Sequence, residues 1–330
     1  MNFIKVSVCI PVYNVEKYIA RCVHSLMEQT ISGLELIFVD DCSPDNSIHI
    51  LEETLKEYKR DDIAVKIIRH EKNKGVTVAR QTAMNAVTGK YFIHCDPDDE
   101  IEPTMYQTMY DTIEQNNADM VYCDFCFVYK DGKIKEKREQ CVSSPTEMIK
   151  CILSYNCSCW GSLCNKLWKK SLKESIFCPD DIIFREDDRF SIQMLRKCQK
   201  VVHIPFIFYK YYCNPGSICT ARKQVHFYCT VQNLLFYKNI MTETEFLENV
   251  LPYWQLQMIY SIRNSERFGK RLFKDLSPQF KRKILSTPNE KLTRNDFLLL
   301  RCGFISWELS RFLLSVYSVF ISKIKKPNRG

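Results

Sequence analysis

Strand-like and helix-like stretches alternate along the first part of this chain, and that alternation limits its fold more than anything else in it. Residues 6–13 read VSVCIPVY, an unbroken β-branched and apolar run, which is the pattern of a strand covered on both faces. Val15, Tyr18, Ile19, Cys22, Val23, Leu26 and Met27 then recur at three- and four-residue spacing, one helical face to lay on a sheet. Further strands are predicted at 35–40 (ELIFVD), 64–69, 91–95 and 118–125, with helices over 76–87 and 103–116. Strand and helix in turn predict an α/β fold: a mainly parallel, Rossmann-like sheet with helices on both faces.

In an open sheet of that kind ligands bind beyond the carboxyl ends of the strands. Asp40 and Asp41 end one predicted strand, and Asp96, Asp98 and Asp99 follow another. Ser43 suits a helix N-cap and Pro44 a first helical turn, so a helix is expected directly after Asp41. Asp96-Pro97-Asp98-Asp99 crowds carboxylates where a cation would make their proximity tolerable. A plain Pro-Asp turn is the competing explanation.

A chain of 330 residues, 45% of them apolar, can bury a large core and is not of disordered composition. Its 17 cysteines are therefore not needed as a disulfide framework. Residues 1–5 run straight into a strand without the pattern of a secretory leader, so reduced thiols and a cytoplasmic location are expected. Cys157, Cys159 and Cys164 lack the paired spacing of structural zinc sites and are expected as small buried hydrophobes. A net charge of +8 favours an anionic partner. No zinc-finger, RNA-recognition or basic-zipper pattern is present, which sets nucleic acid aside and leaves an acidic lipid surface or a phosphorylated substrate.

Strand signals fade past residue 220, so the expected division is a domain over 1–221 and a helical region over 222–330. Residues 304–324 are apolar apart from Glu308, Arg311, Ser315, Ser318 and Ser322, and Lys323, Lys325, Lys326 and Arg329 follow. The uncharged run is too short to span a bilayer. Peripheral contact with an acidic membrane surface and packing on the protein both remain open for it.

In order and spacing, VSVCIPVYN (6–14), VDDCSPD (39–45), NKGVTVAR (73–80), TGKYFIHCDPDD (88–99) and REDDRF (185–190) resemble the family 2 glycosyltransferases of GT-A fold. The resemblance covers about the first 220 residues and implies a GT-A catalytic domain over 1–221. It implies a nucleotide-sugar donor, UDP-linked in the leading version, bound by Pro11, Tyr13, Asn14, Asp41, Arg80, Asp96 and Asp98. Asp41 would take the nucleobase; alternatively it is a carboxylate stabilised by a helix N-terminus. Arg80 would grip a diphosphate or orient the loop that carries the aspartates.

Asp98 and Asp99 would hold a divalent cation, Mn2+ or Mg2+, against the charge that develops on a nucleoside diphosphate leaving group. Asp187 would be the general base of an inverting transfer, with Glu186 and Trp160 on the acceptor side. The acceptor implied is a glycan or lipid-linked glycan of envelope polysaccharide synthesis at the inner face of a membrane. This chain departs from the resemblance at Cys213, where relatives often carry an arginine. A catalytically silent nucleotide-sugar binder is the alternative in another class, and the intact Asp96, Asp98 and Asp187 weigh against it. A sugar nucleotidyltransferase is the other; its usual glycine-rich phosphate loop is missing from a chain with nine scattered glycines.

Overall fold

The structure is a computed structural model, described over residues 3–142, 144–154, 161–179, 185–214, 223–264, 270, 272–274, 278–306 and 308–314. The chain divides into two compact units, Met1–Arg222 and Lys223–Gly330.

The first unit runs β1 (Val6–Val12), α1 (Ile19–Met27), β2 (Leu34–Asp40), α2 (Ser47–Lys56), β3 (Ile63–Arg69), α3 (Val76–Ala86), β4 (Tyr91–His94) and β5 (Glu100–Ile101). It continues with α4 (Met105–Asn116), β6 (Met120–Val128), β7 (Ile134–Lys137), α5 (Pro145–Ser154), β8 (Lys166–Lys169), α6 (Glu186–Leu195) and β9 (Val201–Tyr212). The strands form one sheet ordered β3-β2-β1-β4-β8-β6-β9-β5, with β7 beside β6. Pairing is parallel from β3 through β4 and between β6 and β9. β8 is antiparallel to β4 and β6, and β5 to β9.

All seven residues of β1 are buried, as its unbroken apolar run requires. Val8 and Ile10 join Leu26 of α1 and Met105 and Met109 of α4 in one core, while α3 lies on β1 and β2. Since β2 and β4 flank β1 and the chain leaves β1 in both directions, the switch point falls between β1 and β4. The last β1 residue paired with β4 is Cys9. Pro11 follows, where its missing N–H takes no bond from that ladder.

One local expectation fails. No helix begins at Ser43: α2 starts at Ser47, and the Asp40 carboxylate instead accepts the Ser43 N–H at 2.8 Å, a side-chain-closed loop that delays the helix. Cys164 is buried in the core, while Cys157 and Cys159 lie outside the described residues. The cysteines among the described residues are free.

The second unit comprises α7 (Lys223–Ile240), α8 (Glu243–Asn249), α9 (Leu251–Arg263), α10 (Pro278–Ser286) and α11 (Arg294–Ile305). Thr242 and Thr293 start α8 and α11 with capping boxes. Phe246, Trp254 and Phe280 pack ring against ring in its core. Among the described residues no helix is long and apolar enough to cross a membrane; residues 315–330, with the basic tail, lie outside them.

Candidate active site

Beyond the end of β1, Tyr13 and Asn14 are exposed, and Asn14 adopts a left-handed φ of 56°. Asp41, one residue past β2, is only 2% exposed. Its Oδ1 lies 2.7 Å from His70 Nδ1 and accepts the Lys74 N–H at 2.9 Å, while Oδ2 accepts the Gly75 N–H at 2.7 Å. His70 Nε2 sits 3.0 Å from Thr82 Oγ1 on α3. Asp41 thus ties the end of β2 to the turn that starts α3, a turn that needs glycine at 75 because φ is +87° there. Asp41 is thus buried and bound through both oxygens at the N-terminus of α3, whereas the helix expected directly after it begins only at Ser47.

The turn after β4 is held mostly from β9. The Asp96 N–H donates to the Tyr209 hydroxyl at 3.2 Å, and that hydroxyl donates to Asp99 Oδ2 at 2.6 Å. The Tyr212 N–H reaches Asp99 Oδ1 at 2.8 Å, and Asn214 Nδ2 reaches Asp98 Oδ2 at 2.9 Å. Arg21 of α1 donates to the Asp98 carbonyl and stacks 3.5 Å from the centre of the Tyr212 ring. Burial, then the Asp96 charge, raises the Asp98 carboxyl above the usual range. Burial, then Asp98 and Asp96, raises Asp99 further.

Asp99 is 1% exposed and both its oxygens accept protein donors, which ties it into the turn. Among the described residues no three His, Cys, Asp or Glu side chains form a ready-made metal cluster. Two crowded carboxylates, Asp96 and Asp98, do fit a hard divalent ion of the kind that completes its shell with water and substrate phosphate.

Arg80 joins this turn to the start of α6. Its Nη2 donates to Asp96 Oδ1 at 2.8 Å, and its Nε lies 3.3 Å from Asp187 Oδ1 and 3.6 Å from Glu186 Oε1. Of the two roles expected for Arg80, orienting the aspartate loop is the one its contacts display. Burial alone would lower its pKa, but Asp187, Asp96 and Glu186 outweigh that and hold it firmly charged.

Arg185, with φ of 65°, opens α6, and Glu186, Asp187 and Asp188 form its first turn. The Asp187 side chain is 23% exposed. Burial raises its carboxyl to about 8 against the lowering pull of Arg80, with Glu186, Asp96 and Asp188 adding to the rise. Burial likewise raises Glu186. Asp188 pairs with Arg185 and presses on the chain at Gly161, where a Cβ would fall 1.9 Å from its Oδ1. The Gly161 carbonyl also accepts Ser191 Oγ of α6 at 2.7 Å. Trp160, expected on the acceptor side, lies outside the described residues.

Arg80, Asp96, Asp98, Glu186 and Asp187 therefore meet at one edge of the sheet. His70, Arg21, Tyr209 and Asn214 complete the setting and were not singled out from the sequence.

The sequence profile of glycosyl transferase family 2 matches residues 7–178. The uncharacterized glycosyltransferase EpsJ of Bacillus subtilis is 31% identical over 221 residues, 64% of this chain and 62% of that relative. The crystal structure of S. aureus TarS 1–349 in complex with UDP-GlcNAc superposes with a TM-score of 0.62 at 18% identity, covering 96% of this chain and 92% of that one. The mannosyltransferase PcManGT from Pyrobaculum calidifontis, in complex with GDP-Man and Mn2+, does so with a TM-score of 0.57 at 13% identity, covering 96% and 88%. At such identities the likeness to the two solved structures is one of fold.

Proposed function

The chain belongs to glycosyl transferase family 2 and is a glycosyltransferase, and from that premise we propose that it transfers a sugar, with inversion, from a UDP-sugar to a hydroxyl of a glycan or lipid-linked glycan. The observation that carries this reading is the Arg80 guanidinium, which holds Asp96 on one side and Asp187 on the other. A donor-side carboxylate and a candidate base thereby stand on opposite flanks of a single charge. UDP-GlcNAc in the TarS complex supports the choice of donor class.

In the proposed reaction Asp96 and Asp98 would hold a Mn2+ or Mg2+ ion, which would neutralise charge on the departing diphosphate. Asp187 removes the proton from the acceptor hydroxyl as that oxygen attacks the anomeric carbon. Attack from the face opposite the diphosphate inverts the configuration in one displacement and needs no sugar–enzyme bond. Glu186, paired with the same guanidinium, positions the start of α6. Pro11, Tyr13 and Asn14, at and beyond the end of β1, form the donor rim, and Asp41 holds the Lys74-Gly75 turn beside it.

Envelope polysaccharide synthesis on the cytoplasmic side of a membrane is the setting we assign. The net charge of +8 suits peripheral contact with acidic lipids.

Donor hydrolysis by the purified protein tests the reading without knowledge of the acceptor. UDP-, GDP-, CMP- and dTDP-sugars are offered with Mn2+, with Mg2+ and with EDTA. Release of UDP from one sugar, abolished by EDTA and by Asp98→Asn, is the expected result. No metal-dependent turnover or binding of any donor would leave a protein that keeps the fold without the chemistry.

A further inference from the structure

Tyr209 stands on β9, 110 residues away in sequence from Asp99, and its ring is fully buried in the main core. One hydroxyl group there serves both ends of a four-residue turn, accepting the N–H of Asp96 and donating to the carboxylate of Asp99. The Asp99 N–H closes the same turn on the Asp96 carbonyl at 3.2 Å, and Pro97 within it has no N–H to contribute. Three carboxylates in so short a segment repel one another, so the turn needs outside donors to keep its shape. A tyrosine hydroxyl can accept and donate at a single point, which a lysine or an amide N–H cannot.

We propose that Tyr209 is a positioning residue for the cation: its hydroxyl turns Asp99 inward and fixes the Asp96 backbone, leaving Asp96 and Asp98 set as the ligand pair. The assignment rests on the cation-dependent donor site proposed above. Tyr209 touches neither substrate nor metal in this scheme and acts through the turn.

The test is calorimetric binding of UDP to the full chain across a Mn2+ series and in EDTA, with electron paramagnetic resonance counting bound Mn2+. Tyr209→Phe keeps the ring and removes the hydroxyl. It is expected to raise the Mn2+ concentration needed for UDP binding by about tenfold, the effect of losing one buried hydrogen bond to a charged group, with metal-free UDP binding unchanged. Tyr106→Phe is the control, because the buried Tyr106 hydroxyl makes no hydrogen bond among the described residues; it should leave the Mn2+ requirement at the wild-type value.

A second variant stands apart from the folding of the first. Asp99→Asn loses one of the two accepting oxygens and should, like Tyr209→Phe, raise the Mn2+ requirement about tenfold without abolishing it, where loss of a metal ligand such as Asp98→Asn abolishes the response. Tyr209→Phe indistinguishable from wild type, or Asp99→Asn as damaging as Asp98→Asn, would overturn the assignment alone. Wild-type protein that binds no UDP with Mn2+ would overturn the donor reading and this assignment with it.

Discussion

Two acidic triplets, Asp96/Asp98/Asp99 and Glu186/Asp187/Asp188, look alike as sequence, yet the fold treats them in opposite ways. The first is gripped largely by uncharged donors: a phenol and a backbone N–H on Asp99, and an amide on Asp98. The second is balanced by guanidinium groups, Arg80 beside Glu186 and Asp187 and Arg185 beside Asp188. Neutral donors fix geometry and leave negative charge in place, which a metal site requires. A neighbouring cation tunes a carboxylate's proton affinity, which a base requires. Arg80 reaches both triplets, so donor geometry and base strength are linked through one side chain.

The largest expected effect separates the two triplets by turnover. Asp187→Asn should lower the rate of sugar transfer by about 10²–10⁴-fold, the usual worth of a positioned base, measured as UDP release with acceptor present. Next comes the link. Arg80→Gln removes the charge that pulls Asp187 down, so the acidic limb of kcat/KM should move to higher pH and activity at pH 7 should fall by roughly tenfold per unit of displacement. In the wild type a base raised to about 8 must lose its proton to work, so kcat/KM should climb with pH and level off above that value.

Removing a single neutral donor is a smaller disturbance. Asn214→Ala should raise the Mn2+ requirement about fivefold, a hydrogen bond's net value of roughly 1 kcal/mol, and leave the pH limb unmoved. The least effect is on stability. A carboxyl whose folded pKa is raised favours the native state at low pH, and that benefit disappears as pH rises from its unfolded value to about 8. Asp187→Asn should therefore melt higher than wild type at pH 9, by roughly 2–4 °C for each kcal/mol relieved, and show little difference at pH 4. An equal gain at both pH values would mean that Asp187 is not held protonated.

The parallel half of the sheet was legible because its strands are covered on both faces and so appear as unbroken apolar runs: β1, β2 and β4 need no partner to be recognised. β5, β7, β8 and β9 carry no such signal. β5 has two residues and β7 reads IKEK. β9 hides behind Pro205, which sits where its pairing with β6 shifts register between Ile204 and Ile207, a bulge that admits proline.

The site divides the same way. Asp96 and Asp98 follow a strand end, Asp187 stands at a helix start, and Arg80 lies in the NKGVTVAR stretch, so these four could be named in advance. Tyr209, Asn214 and His70 could not, because their roles come from contacts with residues far off in the chain. The contacts of Asp41 and Asp99 were hidden for the same physical reason: a carboxylate at a strand end can turn into the fold as readily as toward a ligand, and its donors lie far off in the chain.

That the two triplets do separate work is tested most directly by titrating UDP with Mn2+ into wild type, Asp98→Asn and Asp187→Asn by calorimetry. Wild type and Asp187→Asn should bind with the same affinity, and Asp98→Asn should show no Mn2+-dependent binding. Binding retained in Asp98→Asn, or lost in Asp187→Asn, would contradict the division of labour between the turn after β4 and the first turn of α6.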